Sequence, residues 1–236
     1  MDFIETWLAK TQTDRSKSKR PLVSLCYAQS LDGSLTAQPG EPTGLSGPES
    51  SILTHWLRAY HDAILVGIGT VKADNPRLTV RLVDGSHPQP IILDRLLETP
   101  HDSYLIRDHP SPTWIATSSQ GIAKSRELEA FSNLRLLELP LDQKKHLSLT
   151  ALLDCLSNLG IQRLMVEGGA KVITSFLVQR LVDQVILTIA PRYSGGLHIA
   201  EGFTKTEVNN QNRLLQPLKE VEYHRLGKDL IVLGRL

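Results

Sequence analysis

Residues 164–191 read LMVEGGAKVITSFLVQRLVDQVILTIAP, and they decide the fold because a buried strand leads directly into a glycine pair and a helix. The strand is the apolar run 164–166. Apolar residues then recur at helical spacing, at Ile173, Phe176, Leu177 and Leu181. Gly168 and Gly169 lie at the join, where backbone amides have no intrahelical partner. This junction predicts an anion-binding site, and an ordinary tight turn remains the alternative.

A carboxylate, Glu167, precedes the glycine pair at the carboxyl end of the predicted strand. Open α/β sheets bind ligands in the crevice beyond their strand ends, so Glu167 is expected to face a ligand. An acidic residue also suits a helix start, where it meets the positive end of the helix dipole. The sequence leaves both roles open.

The composition describes a globular chain that binds small molecules. It has 236 residues, of which 41% are hydrophobic and 22% charged, and its net charge is +1. Such a balance lacks the basic surface of nucleic-acid-binding or membrane-surface proteins, so neither partner is expected. No segment reaches the roughly 18 apolar residues of a membrane span. The two cysteines are too few for a disulfide framework, and they favour a cytoplasmic location.

The chain divides into an N-terminal tail and linker, residues 1–20, and a single domain, residues 21–236. The tail carries an apolar stripe at helical spacing, made of Phe3, Ile4, Trp7 and Leu8. Apolar strands alternate with helical patterns through most of the domain, and its last strands join at the turn 227–229. The expected fold class is therefore α/β, with a mixed, mostly parallel sheet flanked by helices and with antiparallel C-terminal strands.

A second strand-to-helix junction follows the apolar strand 63–66, in the glycine turn 67–70. The dinucleotide fingerprint G-x-G-x-x-G needs a third glycine, and Lys72 takes its place, so a standard Rossmann domain is excluded. Asp74 follows as a turn residue. The apolar run Leu78–Val80 is predicted to be a short strand.

A helix is predicted after Pro48, which suits a first helical position. Its apolar face is made of Ile52, Leu53, Trp56, Leu57 and Tyr60. Arg58 points to the opposite face. Periodicity alone favours a solvated charge there, with a ligand contact as the alternative.

Four separated segments together resemble the reductase domain of riboflavin biosynthesis, the C-terminal domain of the bifunctional deaminase/reductase. They are SLDG at 30–33, LRA at 57–59, VGIGTVKADNPRLTVR at 66–81, and VEGG at 166–169 with LVDQVILTIAP at 181–191. The resemblance covers residues 21–236. It implies a fold similar to that of dihydrofolate reductase. It also implies NADPH-dependent reduction of the ribosyl group of 5-amino-6-(5-phosphoribosylamino)uracil to a ribityl chain.

The resemblance also leads to expectations about two protein partners, a separate deaminase and a second copy of this chain. The zinc deaminase signatures H-x-E and P-C-x-x-C do not occur, so a separate deaminase is expected to serve the pathway. A homodimer is expected, as in relatives. The C-terminal segment supports this expectation, because its apolar residues would leave a sheet edge or face that needs covering. These residues are Leu230, Ile231, Val232 and Leu233.

Carried over position by position, the resemblance implies the residues that bind each ligand. The nicotinamide dinucleotide would be lined by Ala28, Thr70, Asp74, Gly169, Ala170, Lys171, Val172, Ile173, Thr174 and Ser175. The phosphoribosyl substrate would be held by Arg58, Leu78, Arg81 and Glu167. The planar fork of arginine suits a phosphate, because it gives paired charge-assisted hydrogen bonds. The glycine motif adds Gly168 to the cofactor site, and Arg95 is expected near the ribose 2′-phosphate of NADPH.

The expected reaction needs a proton donor. Hydride delivery to the imine of the opened ribosylamine requires a proton for the adjoining nitrogen, and a carboxyl group can supply it. Asp32, Asp74 and Glu167 are the candidate catalytic residues, and the sequence does not rank them. The eight histidines show no metal-ligand spacing, so no metal site is expected.

Two departures from the family pattern bear on the substrate. Pro42 stands where some relatives carry a serine that meets the substrate phosphate, and Asn75 replaces the second acid of a frequent Asp-Asp-Pro. Two alternatives therefore stay open. One is a reductase of the same fold that acts on another pterin-like or pyrimidine substrate, and the other is a non-catalytic nucleotide-binding protein.

Overall fold

The computed structural model describes residues 2–13, 19–37, 44–125, 133–199 and 217–236. The helices are α1 (Asp2–Thr13), α2 (Pro48–Tyr60), α3 (Ile68–Asp74), α4 (Tyr104–Arg107), α5 (Ser119–Ile122), α6 (Leu149–Asn158) and α7 (Ala170–Val178). The strands are β1 (Leu22–Ser30), β2 (Ser34–Thr36), β3 (Ala63–Gly67), β4 (Gln89–Leu93), β5 (Thr113–Thr117), β6 (Leu134–Glu138), β7 (Arg163–Gly168), β8 (Gln184–Ala190), β9 (Leu197–His198), β10 (Lys219–Leu226) and β11 (Asp229–Arg235). None of the helices in these ranges has the length and apolarity needed to cross a membrane.

Within the described residues, nine strands form one sheet in the order β10-β11-β8-β1-β7-β3-β4-β5-β6. β1 pairs in parallel with β7 and β8, and the strands from β7 through β3 to β6 are also parallel. β11 is antiparallel to both β8 and β10. The expected α/β class, with a mixed, mostly parallel sheet and antiparallel C-terminal strands, is confirmed. β2 and β9 form a separate two-stranded ribbon.

Helices cover the two faces of the sheet and create two apolar layers. On one face, Leu152 of α6 and Phe176 of α7 pack in a cluster that contains Val166 of β7. On the other face, Leu53 of α2 packs in a cluster that contains Met165. Successive side chains of a strand point to opposite faces, which is why neighbouring residues of β7 belong to different layers. Each fully buried side chain of this kind contributes roughly 1.5–3 kcal/mol.

The N-terminal helix α1 packs in the second of these layers. Ile4, Trp7 and Leu8 of its apolar stripe are at most 1% exposed. They share one core cluster with Ile231 and Leu233 of β11. The described N-terminal helix and the C-terminal strand therefore stabilise each other through a common hydrophobic layer.

The predicted short strand Leu78–Val80 is wrong, because this segment has no regular structure. Leu78 has a left-handed φ of 54°, and its side chain is buried in the second layer. A short apolar run has the same pattern in a strand and in a buried irregular segment, so periodicity could not separate the two.

Candidate active site

An open cleft lies at the carboxyl ends of the central strands β1, β3, β7 and β8, where open α/β sheets bind ligands. Its volume is about 1870 Å³. A site for one small ligand has roughly 300–1,000 Å³, so this cleft has room for two molecules. The sequence-predicted residues that line it are Ala28, Thr70, Asp74, Glu167 and every residue from 168 to 175. The structure thus brings three separate segments of the chain to one site.

The floor of the cleft is formed where two strand-to-helix junctions touch. A Cβ built on Gly67 would lie 2.7 Å from Cγ2 of Val172, and one built on Gly169 would lie 2.9 Å from Oγ1 of Thr70. Gly169 also has a φ of 82° and precedes α7 without a side-chain cap. Glycine at both positions therefore lets the junctions approach each other. The arrangement forms a cradle that suits the pyrophosphate of a nicotinamide dinucleotide.

Glu167 owes its position to an irregularity in the sheet. Leu65 of β3 pairs with Val166, but the next residue, Val66, pairs with Gly168. Glu167 therefore has no pairing partner on β3. On the other side, the pairing of β1 with β7 ends at Val166. A bulge of this kind redirects a side chain, and here it places a carboxylate at the wall of the cleft.

Both oxygens of Glu167 are bound by one arginine. Arg58 of α2 donates from Nε to Oε1 over 2.7 Å and from Nη2 to Oε2 over 2.8 Å. The two side chains are only 12% and 16% exposed. Burial lowers the pKa of Arg58, but the Glu167 carboxylate outweighs burial and the pKa lies above its ordinary value. The solvated-charge interpretation of Arg58 is therefore wrong.

A positively charged corner adjoins this ion pair. Nη1 of Arg58 donates to the carbonyl of Thr79 over 3.2 Å, and Nη1 of Arg81 donates to Oγ1 of the same threonine over 2.6 Å. Burial, followed by the charges of Arg58 and Arg77, lowers the pKa of Arg81. Arg58 and Arg77 thus lie close enough to Arg81 to affect its charge, and Glu167 binds one of these three arginines. A corner of this charge suits a phosphate.

Asp74 lies at the C-terminal end of α3 and lines the cleft. Desolvation raises its pKa above the ordinary value. Its neighbour Asn75 caps the helix with a left-handed φ of 40°, and its Oδ1 accepts the amide of Tyr104 over 2.8 Å. Asparagine tolerates this conformation better than most residues. The departure at position 75 therefore has a local structural role.

The structure does not place every predicted site residue in the cleft. The Asp32 carboxylate accepts hydrogen bonds from the Ser30 hydroxyl and from the amides of Ser194 and Gly195. These bonds, led by that from Ser30, lower its pKa to about 2. Asp32 does not line the cleft, and its contacts instead fix the loop before β9.

Four further predicted residues are not among those that line the cleft. Arg58 and Arg81 lie in the adjoining arginine corner, and the other two are Arg95 and Leu78. The Arg95 carbonyl accepts from the Ser118 hydroxyl over 2.7 Å, and Arg95 is not among the residues that line the cleft. The Leu78 side chain is buried in the core, so only its backbone is available to a substrate. Pro42, which bears on the substrate phosphate, lies outside the described residues.

His55 is not a predicted site residue, but the structure places it beside the arginine corner. Its Nδ1 accepts the amide of Arg81 over 2.8 Å. Helical spacing in the sequence could have identified His55 as a site residue, because it precedes Arg58 by three residues and so lies on the same face of α2. The described residues contain no group of three or more His, Cys, Asp or Glu that could hold a metal ion.

A glycine-lined cleft at the carboxyl edge of a mixed sheet is typical of nucleotide-binding α/β proteins. Residues 21–232 match the family model of the RibD C-terminal domain. The chain belongs to this family, which confirms the resemblance read from its sequence. The expected oxidoreductase class is confirmed with it, because curated relatives of the chain are reductases.

The chain is similar to the 2,5-diamino-6-ribosylamino-4(3H)-pyrimidinone 5′-phosphate reductase of Debaryomyces hansenii, with 36% identity over 216 residues that cover 82% of each protein. It is also 36% identical over 217 residues to the riboflavin biosynthesis protein RibD of Aquifex aeolicus, and it covers 57% of that protein. The solved riboflavin biosynthesis reductase of Saccharomyces cerevisiae superposes with a TM-score of 0.75 at 28% identity, over 96% of this chain and 94% of that one. A reductase family of this kind implies a nicotinamide cofactor.

Proposed function

We propose that the protein uses NADPH to reduce the ribosyl group of 5-amino-6-(5-phosphoribosylamino)uracil to its ribityl product. The observation that carries this proposal is the position of Glu167. It lies next to the glycine cradle along the chain, and through Arg58 it contacts the arginine corner. A cofactor in the cradle and a phosphate in the corner would therefore flank one carboxylate.

The relatives favour a second candidate substrate. Curated reductases similar to this chain are named for 2,5-diamino-6-ribosylamino-4(3H)-pyrimidinone 5′-phosphate, which carries a different pyrimidine ring. Both molecules share the phosphoribosylamino group that is reduced. The arginine corner and Glu167 would meet that shared group, so an assay of both substrates decides which pyrimidine ring the protein accepts.

The cradle supports NADPH as the cofactor. A bound nicotinamide cofactor supplies the hydride. The residues that would hold it are the glycine junctions and the start of α7, where amides and the helix dipole favour a pyrophosphate. Lys144, Lys171 and Arg180 line the same cleft and bring positive charge that suits a ribose 2′-phosphate. Arg95 was expected to serve that phosphate, and its place outside the cleft wall favours the other three cations.

The arginine corner supports a phosphorylated substrate. The fork of Arg58 is bound to Glu167, so Arg58 mainly fixes that carboxylate. Arg81 and Arg77 then provide the charge for the substrate phosphate. A charge-assisted hydrogen bond of this kind contributes roughly 1.5–3 kcal/mol. The ribosylamine would extend from this corner towards Glu167 and the cradle.

Asp74 is our proposed proton donor. Both oxygens of Glu167 accept from Arg58, and Asp32 is bonded away from the cleft. Asp74 lines the cleft, and desolvation raises the pKa of its carboxyl group above the ordinary value. In the reaction a hydride adds to the imine carbon, the C=N double bond becomes a single bond, and the nitrogen takes one proton.

Replacing Asp74 with asparagine is expected to lower turnover at least about 100-fold, because an amide cannot donate a proton as a carboxyl group does. The measurement is the oxidation of NADPH at 340 nm with each of the two candidate substrates, and the Michaelis constants should stay similar. Asp154→Asn, on the exposed side of α6, is the matched control and should turn over as the wild type does. Absence of NADPH oxidation by the wild type with either substrate would remove the proposed function. Normal turnover of Asp74→Asn would remove only the role of Asp74.

We propose a homodimer formed through the outer face of β8, β11 and β10. Tyr223 pairs with Val232, and its side chain is 67% exposed, while Leu230 on the same face is 40% exposed. Ile231 and Leu233 of the same strand are buried against α1 and cannot join an interface. An exposed apolar face of this kind favours association. The reaction is proposed to take place in the cytoplasm, a prediction that the sequence alone supports.

The variant Tyr223→Glu/Leu230→Glu is expected to halve the molar mass measured by light scattering at micromolar concentration, because two carboxylates would be desolvated in the interface. Ile52→Glu changes an apolar residue of α2 that is also 40% exposed and should leave the mass unchanged. A wild-type protein that is already monomeric would contradict the dimer.

A further inference from the structure

The segment 78–81 carries Arg81 of the arginine corner, yet it belongs to no helix or strand. One end is anchored by Leu78, whose side chain is 1% exposed in the core. The other end is held through backbone amides. Val80 donates to Nδ1 of His87 over 3.1 Å, and Arg81 donates to Nδ1 of His55 over 2.8 Å. Two histidine rings therefore provide the acceptors that a neighbouring strand would otherwise supply.

The two rings differ in their surroundings. His87 lies at the surface, where water can replace a lost acceptor, whereas His55 is 5% exposed. A ring nitrogen can accept only when it carries no proton, so the bond to Arg81 requires the neutral form of His55 with its proton on Nε2. Burial, followed by the charges of Arg58 and Arg81, lowers the pKa of His55 to about 4, and Glu167 opposes this shift. The acceptor therefore persists at neutral pH.

Helix α2 connects this acceptor to the ion pair. His55 and Arg58 are three residues apart and lie on one face of the helix. His55 holds the backbone of Arg81, while Arg58 holds both Glu167 and the carbonyl of Thr79. A single turn of α2 thus fixes the position of the Arg81 backbone relative to the Glu167 carboxylate.

We infer that His55 is a positioning residue that fixes Arg81 for the substrate phosphate by accepting its backbone amide. This inference rests on the proposed function, because it assigns the phosphate of the substrate to the arginine corner. His55 does not touch the substrate. Its removal should leave the amide of Arg81 without its buried acceptor and allow the segment 78–81 to move, which spreads the guanidinium over many positions.

The test compares His55→Leu with His55→Asn, because the asparagine Oδ1 occupies nearly the position of the histidine Nδ1. The Michaelis constant is measured for the phosphorylated substrate and for its dephosphorylated counterpart. His55→Leu is expected to raise the constant at least about tenfold for the phosphorylated substrate only, and His55→Asn should recover most of this loss. NADPH affinity, measured by fluorescence titration, should change less than about twofold in both variants.

Two controls keep the outcome interpretable. His101→Leu removes an exposed histidine outside the corner and should behave as the wild type does. Should His55→Leu not fold, His55→Gln replaces it, because the longer amide reaches the Nε2 position and leaves the Nδ1 position empty. An unchanged Michaelis constant, an equal loss for both substrates, or identical behaviour of the Asn and Gln variants would each overturn the inference. A wild type that does not distinguish the two substrates would instead contradict the phosphate assignment of the proposed function, and the role of His55 would fall with it.

Discussion

Replacing Glu167 with alanine is expected to lower the free energy of unfolding by about 3 kcal/mol, near the lower end of the cost of breaking a buried ion pair. The physical reason is that Arg58 would keep its charge in a nearly buried position with no carboxylate to bind its fork. The measurement is urea denaturation of the ligand-free protein. The loss should therefore appear without cofactor or substrate, which separates this structural role of Glu167 from any role in the reaction.

The matched control for this prediction is Glu98→Ala. Glu98 pairs with Lys72 over 2.7 Å, but both side chains are about half exposed, at 45% and 46%. An exposed pair contributes at most about 1 kcal/mol, so this variant should lose little stability. Replacing both members of the buried pair, as in Arg58→Met/Glu167→Leu, should recover part of the loss because no lone charge remains. If Glu167→Ala is no less stable than Glu98→Ala, the pair does not hold the site together.

Replacing Gly169 with valine is expected to weaken NADPH binding at least about 100-fold, which corresponds to roughly 2.7 kcal/mol. A Cβ at this position would lie 2.9 Å from Oγ1 of Thr70, on a backbone with a φ of 82°. The two γ-carbons of valine would extend further into the cradle. They would push the pyrophosphate away from the amides that start α7. Fluorescence titration with NADPH measures the effect.

Gly160→Val provides a control that also places a side chain at a positive φ. Gly160 has a φ of 84°, but a Cβ there would meet nothing within 4 Å. A positive φ is unfavourable for a side chain of L configuration, so both variants should be less stable. The control should retain its affinity for NADPH, because it follows α6 and is not among the cleft-lining residues. Unchanged affinity in Gly169→Val would place the pyrophosphate elsewhere.

Much of the fold could be predicted from the sequence because its signals are local. The alternation of apolar strands with helical patterns predicts a mostly parallel sheet, and the glycine pair at 168–169 marks a junction that the structure places in the cleft. These inferences need only a few neighbouring residues. The site residues from distant parts of the chain could be predicted only from the family resemblance, whose motifs lie in four separate segments.

The parts of the site that the sequence did not predict depend on contacts between distant segments. Helical periodicity assigns Arg58 to the polar face of α2, but it cannot show that a carboxylate more than a hundred residues later binds it. For the same reason Asp32 reads as a catalytic candidate, although its carboxylate is bonded to Ser194 and Gly195. His55 shows no metal-ligand spacing, and its role as an acceptor emerges only when segment 78–81 is beside it.

The order of the strands has a consequence for how the chain folds. β7 lies between β1 and β3, although it comes far later in the chain, and β1 and β3 do not pair with each other. A growing chain that ends before Arg163 therefore holds two central strands with exposed edges. A long stretch of chain separates β3 from β7. Bringing its ends together is slow, because the chain loses entropy before β7 makes any stabilising contact. Since β7 also carries Glu167 and leads into Gly169, the cleft is completed together with the centre of the sheet. A cofactor that bound in this cleft would therefore bind only finished molecules and would shift the folding equilibrium towards them.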